Sequence, residues 1–195
     1  MRKVALITLC LLVMGSTAFA MDLVIGAGGL FGYTREQYEI SDSDGNFDFH
    51  NDNDAFVYGG HVFFGLSRYM EANIAVYAGV NSATYTYSDG SKEPDEYTIG
   101  QIGIGLYLKY PFTLSDHFVL FPAIGVDVQN NLGGLDLWIK GGLGLDIFFS
   151  EKIFLRFQAL YGYDFLMIYK GALNEYTKAL PTHGPTAKLG LGWMY

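Results

Sequence analysis

The sequence predicts an all-β protein: an eight-stranded antiparallel up-and-down transmembrane β-barrel. Three observations predict it. Apolar residues recur at every second position through segment after segment, the period of a strand with two unlike faces. The chain carries 15 Tyr, 15 Phe and 25 Gly but is only 16% charged, against about 25% in an average soluble protein. Beyond residue 20 no run of about 18 apolar residues occurs, so helices cannot make the crossing. A closed barrel is the other structure that satisfies every backbone group in hydrocarbon.

The first element is a leader. Arg2 and Lys3 precede an apolar run from Val4 to Met14, and Ala18-Phe19-Ala20 fits a small-x-small cleavage site. Residues 1–20 therefore read as a secretory signal and 21–195 as one barrel domain. Cys10, the single cysteine, lies inside the leader, so no disulfide is expected in the exported chain. The net charge is −8, which argues against a nucleic-acid partner.

The strands follow in order. Leu23, Ile25, Ala27, Phe31 and Tyr33 share one face, with Val24, Gly26, Gly28, Leu30 and Gly32 on the other. Similar alternation covers 55–66, then Ala72, Ile74, Val76, Ala78 and Val80, then Ile102, Ile104, Leu106, Leu108 and Tyr110. Four more segments complete the set: 118–129, 137–149, 153–164 and 184–195. Pro122 interrupts the fifth, which places it at a bulge or near a strand end, since it cannot donate to a ladder.

Connections alternate in length. Stretches 67–70, 111–117 and 150–152 are short; 35–54, 88–96 and 166–182 are long and polar; 130–136 is a brief exception. Tight turns at one end and long loops at the other suit a barrel with periplasmic turns, external loops and both termini in the periplasm.

Face composition decides against a soluble lipocalin-like barrel, which would turn its aliphatic face inward. The second face here is glycine with scattered Lys, Asp, Gln and Tyr, suited to the narrow lumen of eight strands. Aromatic residues mark two interface belts. Tyr69, Tyr110, Phe112, Phe118, Phe149 and Phe154 lie by the turns; Tyr33, Tyr58, Tyr85, Tyr87, Tyr97 and Tyr161 lie toward the loops.

Charges on an inward face need partners. Symmetric hairpins would set Asp127 opposite Lys140, Asp146 opposite Arg156 and Glu71 opposite Lys109, closing the lumen with a polar plug. Gln101, Gln158, His61, Asn73 and Lys188 are placed to join that network.

The chain ends on Leu189, Leu191, Trp193 and Tyr195, alternating to the last residue. This pattern resembles the C-terminal assembly signal of bacterial outer-membrane proteins. The whole exported chain resembles the small eight-stranded barrels related to the OmpA transmembrane domain, OmpX and OmpW. That resemblance implies outer-membrane lipid and lipopolysaccharide as surroundings and recognition by the barrel-insertion machinery. The role expected is structural or one of surface interaction, with an extracellular ligand at the loops. The alternative is a narrow OmpW-like channel for small or hydrophobic solutes.

No chemistry is expected. Asp42, Asp44 and Asp48 begin like a calcium loop, but Phe47 stands at the turn-glycine position and Asn53 at that of the bidentate glutamate. They are weak metal candidates at most. No histidine sits beside a serine in an H-x-S pattern, so neither catalytic residues nor a cofactor are assigned.

Overall fold

The computed structural model describes residues 23–41, 47–131, 134–165 and 177–195. The side chains of 41, 47, 48, 131, 134 and 177–181 are outside that description. Nine strands form one antiparallel sheet: β1 (Val24–Ser41), β2 (Phe47–Ser67), β3 (Met70–Tyr87), β4 (Lys92–Lys109), β5 (Phe112–Ser115), β6 (Phe118–Asn131), β7 (Gly134–Phe148), β8 (Ile153–Asp164) and β9 (Thr177–Met194). Each long strand pairs with its successor, β4 pairs with β6, and β9 pairs with β1. Eight long strands thus close a ring, the β4–β6 seam being paired from Ile102 to Lys109. The four-residue β5 lies within the expected 111–117 turn and pairs with β6 alone.

The pleat sorts side chains as the alternation requires. Along β4, Ile104 is 61% exposed while the adjacent inward positions, Gly103 and Gly105, are buried. An aliphatic outside and a polar inside invert the arrangement of a soluble barrel. Paired rings lie at the turn end of the outer surface, with Tyr69 stacked on Tyr110 at 5.8 Å between centroids and Phe112 tilted against Tyr110 at 4.9 Å. Two expected belt residues differ. Phe154 is 1% exposed inside the lumen, because β8 places its even-numbered residues inward and Gly192 opposite leaves room for the ring. Tyr97 lines an interior cavity.

The long loops are corrected as well. Residues 35–41 and 47–54 continue the β1–β2 ladder, pairing Arg35 with Asp54 and Ile40 with Phe49. In the stretch 88–96, pairing resumes at Lys92 opposite Thr86. Backbone bonds sustain these extensions although the apolar alternation has ended. The tight turn works because Gly90, at φ 82°, fills a left-handed position open to glycine. Its N–H donates to Tyr87 O at 2.9 Å. Residues 166–176, and thus most of the loop expected before the last strand, lie outside the described residues.

Pro122 sits where β6 changes partners. Ala123 pairs with β4 and Leu120 with β5, and between them the Pro122 carbonyl accepts from Tyr110 N at 3.1 Å. A proline there removes a donor at a break in the ladder rather than within it.

The barrel closes on its final residues. Trp193 pairs with Ile25, Leu191 with Ala27, and Tyr195 N donates to Leu23 O at 2.9 Å.

Candidate functional site: the lumen

The lumen is built in three layers. Nearest the turns, three rings converge from β2, β6 and β8: Phe63, Phe121 and Phe154, all essentially buried. They fit because glycines face them. A methyl added at Gly144 would stand 2.1 Å from Phe121, and one at Gly192 would stand 2.2 Å from Phe154. The Arg156 guanidinium lies over all three rings, 4.5 Å from the Phe63 centroid and 5.0 Å from each of the other two. Desolvated cation–π contacts of this kind are among the stronger ones.

The same guanidinium organises the ionic layer. Arg156 Nε donates to Asp146 Oδ1 at 2.6 Å and Nη2 to Oδ2 at 2.7 Å, a bidentate fork. Its third nitrogen, Nη1, donates to Glu71 Oε2. Glu71 also accepts from Lys109 Nζ at 2.9 Å and from Asn73 Nδ2 at 2.9 Å. Two carboxylates and two cations therefore balance within one buried cluster. Arg156 and Glu71 each bond more than one partner, and every charge in the cluster bonds an opposite one, the condition under which burying charge is tolerable.

Above it, Lys140 Nζ lies 2.7 Å from Asp127, whose other oxygen accepts from Tyr107 OH at 2.6 Å. Gly105 makes room here, since a methyl there would stand 2.0 Å from the Asp127 carboxylate. Lys188 Nζ lies 4.6 Å from the Tyr107 ring centroid.

The structure brings each of the three sequence-paired sets together, in two different ways. Asp146 lies directly opposite Arg156. Glu71 instead lies opposite Tyr107, and Asp127 opposite Trp138, a shift of two residues from the symmetric hairpins. A two-residue shift preserves the inward face, and the long lysine stems cover the diagonal. His61, Asn73, Gln158 and Lys188 are buried inside, and Gln101 lines the lumen. The three-phenylalanine floor is absent from the expectations above. Parity alone would have found it: Phe63 follows inward His61 by two, and Phe154 precedes inward Arg156 by two.

On the loop side the lumen widens into a cavity of about 170 Å³, bounded by β1–β4, β6–β9 side chains and closed below by the Asp127 layer. Beyond it the extended β1–β2 hairpin carries its own polar cluster. Asp52 accepts from Gln37 and pairs with His50 at 3.1 Å and Arg35 at 3.6 Å. The Gln37 hydrogen bond, aided by His50, holds the Asp52 carboxyl below its ordinary range despite partial burial. Asp42 and Asp44 lie outside the described residues, as does the side chain of Asp48. Among the described residues, no group of three or more His, Cys, Asp or Glu is arranged to hold a metal.

A closed ring of antiparallel strands, greasy outside and ionic within, has the fold of the small outer-membrane β-barrels. No protein-family model and no curated protein sequence matches the chain. Among solved structures it is similar to the outer membrane protein OprG from Pseudomonas aeruginosa. The two are 12% identical with a TM-score of 0.57, over 90% of this chain and 96% of that one. Weaker likenesses are to the N-terminal β-barrel domain of Pseudomonas aeruginosa OprF, 13% identical with a TM-score of 0.40 over 87% of this chain and 99% of that one, and to Neisserial surface protein A, 11% identical with a TM-score of 0.39 over 87% and 99%. At these identities the likeness is one of fold, and the OprG match carries it.

Proposed function

We propose that this chain is an integral outer-membrane scaffold with a structural and surface-interaction role, holding rigid hairpins outside the cell. The observation that carries this reading is the contrast between strand lengths above a plugged lumen. At about 3.3 Å per residue and a tilt near 40°, the 12 residues of β8 rise about 30 Å, enough for one bilayer. The 21 residues of β2 rise about 50 Å. The first two hairpins therefore stand well clear of the membrane as paired strands, with acidic and aromatic side chains on display. Tight turns and both termini then face the periplasm. Host surfaces, phage and lipopolysaccharide are the binding partners proposed for the hairpins. The insertion machinery is the proposed reader of Leu189, Leu191, Trp193 and Tyr195. No catalytic role is proposed. His50 pairs with Asp52, His117 bonds the Phe148 carbonyl, and His61 packs on Phe63.

The narrow-channel reading is opposed by the Arg156 cluster, which fills the turn-side lumen. Asp89→Cys and Glu151→Cys variants test the orientation. A membrane-impermeant maleimide is expected to label Cys at 89 on intact cells and Cys at 151 only after permeabilisation. The reverse pattern would overturn the topology. Open-channel current from the wild type would overturn the plugged scaffold in favour of a channel.

A further inference from the structure

The loop-side cavity holds a charge and two donors that the plug does not use. Asp127 faces two amines in its layer, and it is already engaged by Lys140 at 2.7 Å and by Tyr107 OH at 2.6 Å. Lys188 is the surplus cation. It is only 5% exposed, makes no ion pair among the described residues, and lines the cavity. Two donors that line the same cavity from other strands, β3 and β7, are also unsatisfied. Tyr77 OH and Trp138 Nε1 are buried with no hydrogen-bond partner among the described residues. Buried donors of this kind call for an acceptor. A buried amine that must share the single charge of Asp127 with Lys140 leaves the layer one cation in excess, which a further anion would balance.

The rest of the wall sets the ligand's body. Leu30, Ala55, Val57 and Ile99 give the cavity an apolar side. Its volume of about 170 Å³ is close to that of an engineered cavity of about 150 Å³ that takes up benzene. Glu36, Asp136 and Asp164 also line it, so the site is acidic in part and cationic where Lys188 sits. Asn53 Oδ1 and Asn73 Oδ1, buried acceptors on the same wall, are left to water or to a ligand hydroxyl.

We propose that the loop-side lumen is a blind binding pocket for a small organic monoanion, its carboxylate held by Lys188, Tyr77 and Trp138 and its apolar body against the aliphatic wall. The pocket goes beyond the surface-interaction role and does not depend on it. A barrel that conducts would announce itself in current recordings, whereas this site is read by binding.

The chain has two tryptophans, one in the pocket and one at the outer surface, so Trp193→Phe leaves Trp138 as the sole reporter. Cyclohexanecarboxylate is titrated into that variant, refolded in detergent, against cyclohexanecarboxamide and cyclohexylammonium. A saturable change in Trp138 fluorescence is expected with the carboxylate and little with the other two. Adding Lys188→Met should weaken binding by on the order of tenfold or more. Adding Tyr77→Phe, which keeps the ring, should weaken it severalfold. Lys92→Met, on an exposed hairpin, should change nothing. Folding of each variant is checked by heat-modifiable gel mobility, and Tyr77→Phe carries the test where Lys188→Met does not fold. No saturable response, equal responses to all three probes, or full affinity in folded Lys188→Met or Tyr77→Phe would show a cavity that holds water only and overturn the proposal.

Discussion

Arg156→Met is the sharpest probe of the lumen. The side chain's three donor nitrogens serve two carboxylates, and its plane covers three phenylalanine rings. Methionine keeps apolar contact with the rings but abandons the charge partners. Glu71 retains Lys109 and Asn73. Asp146, whose fork is entirely to Arg156, is left buried without the cation that bonds it. Removing one member of a buried pair costs about 3–5 kcal/mol. The lost cation–π contacts add up to about 2 kcal/mol, partly recovered by methionine packing on the rings. A net loss of about 4 kcal/mol is therefore expected. The assay is equilibrium urea unfolding of the barrel refolded into phosphatidylcholine vesicles, followed by gel mobility and tryptophan fluorescence. The double variant Arg156→Met/Asp146→Leu removes both ends of the fork and should regain most of the loss, because no orphan charge remains. In planar bilayers the wild type should be silent, and Arg156→Ala or Asp146→Ala should leak. A single variant within about 1 kcal/mol of wild type, or a double no better than the single, would refute the claim that this cluster holds the barrel shut.

Three further outcomes are expected. Gly144→Ala should cost about 1–3 kcal/mol in the same urea assay, since its methyl would stand 2.1 Å from Phe121 in a filled lumen; no change would mean the floor is loosely packed. Asp52 should titrate below the ordinary carboxylate range by carbon-detected NMR. Its support for the β1–β2 hairpin is then complete above about pH 4, the unfolded value, and is lost as pH falls through the depressed folded value. Gln37→Leu should raise that midpoint, and an unmoved midpoint would discount the bond. Deleting residues 193–195 removes the Trp193–Ile25 pairing and the Tyr195-to-Leu23 bond, and should slow barrel assembly in cells while leaving export intact; normal amounts of heat-modifiable barrel would argue against a role in insertion.

Much of this architecture was legible in the chain because a strand's two faces are written two residues apart. The outward aliphatic rows, the inward glycines and the inward ions could all be read that way. The turn at 150–152 is symmetric, so the sequence alone sets Asp146 and Arg156 face to face. The other two pairs depended on turn geometry. Gly90 takes the third position of its loop, which centres the β3–β4 hairpin on Asp89 and sets Tyr107, not Lys109, opposite Glu71. The hairpin extensions look like loops in the sequence because apolar alternation stops at the edge of the hydrocarbon, whereas backbone pairing does not. Nearness to a turn suggests the outer belt for Phe154, but its parity with Arg156 places it inside.

What the sequence determined by itself is the sidedness of the wall: period-two alternation and the lack of long apolar runs leave a lipid-facing barrel as the way to satisfy the backbone. Which ions meet, how the phenylalanine floor seats Arg156 and that Lys188 is left over beside a cavity were decided only by the closed ring. These contacts join strands far apart in the chain, such as Glu71 on β3 and Arg156 on β8. Their spacing depends on strand register, which shifts with the geometry of every turn between them.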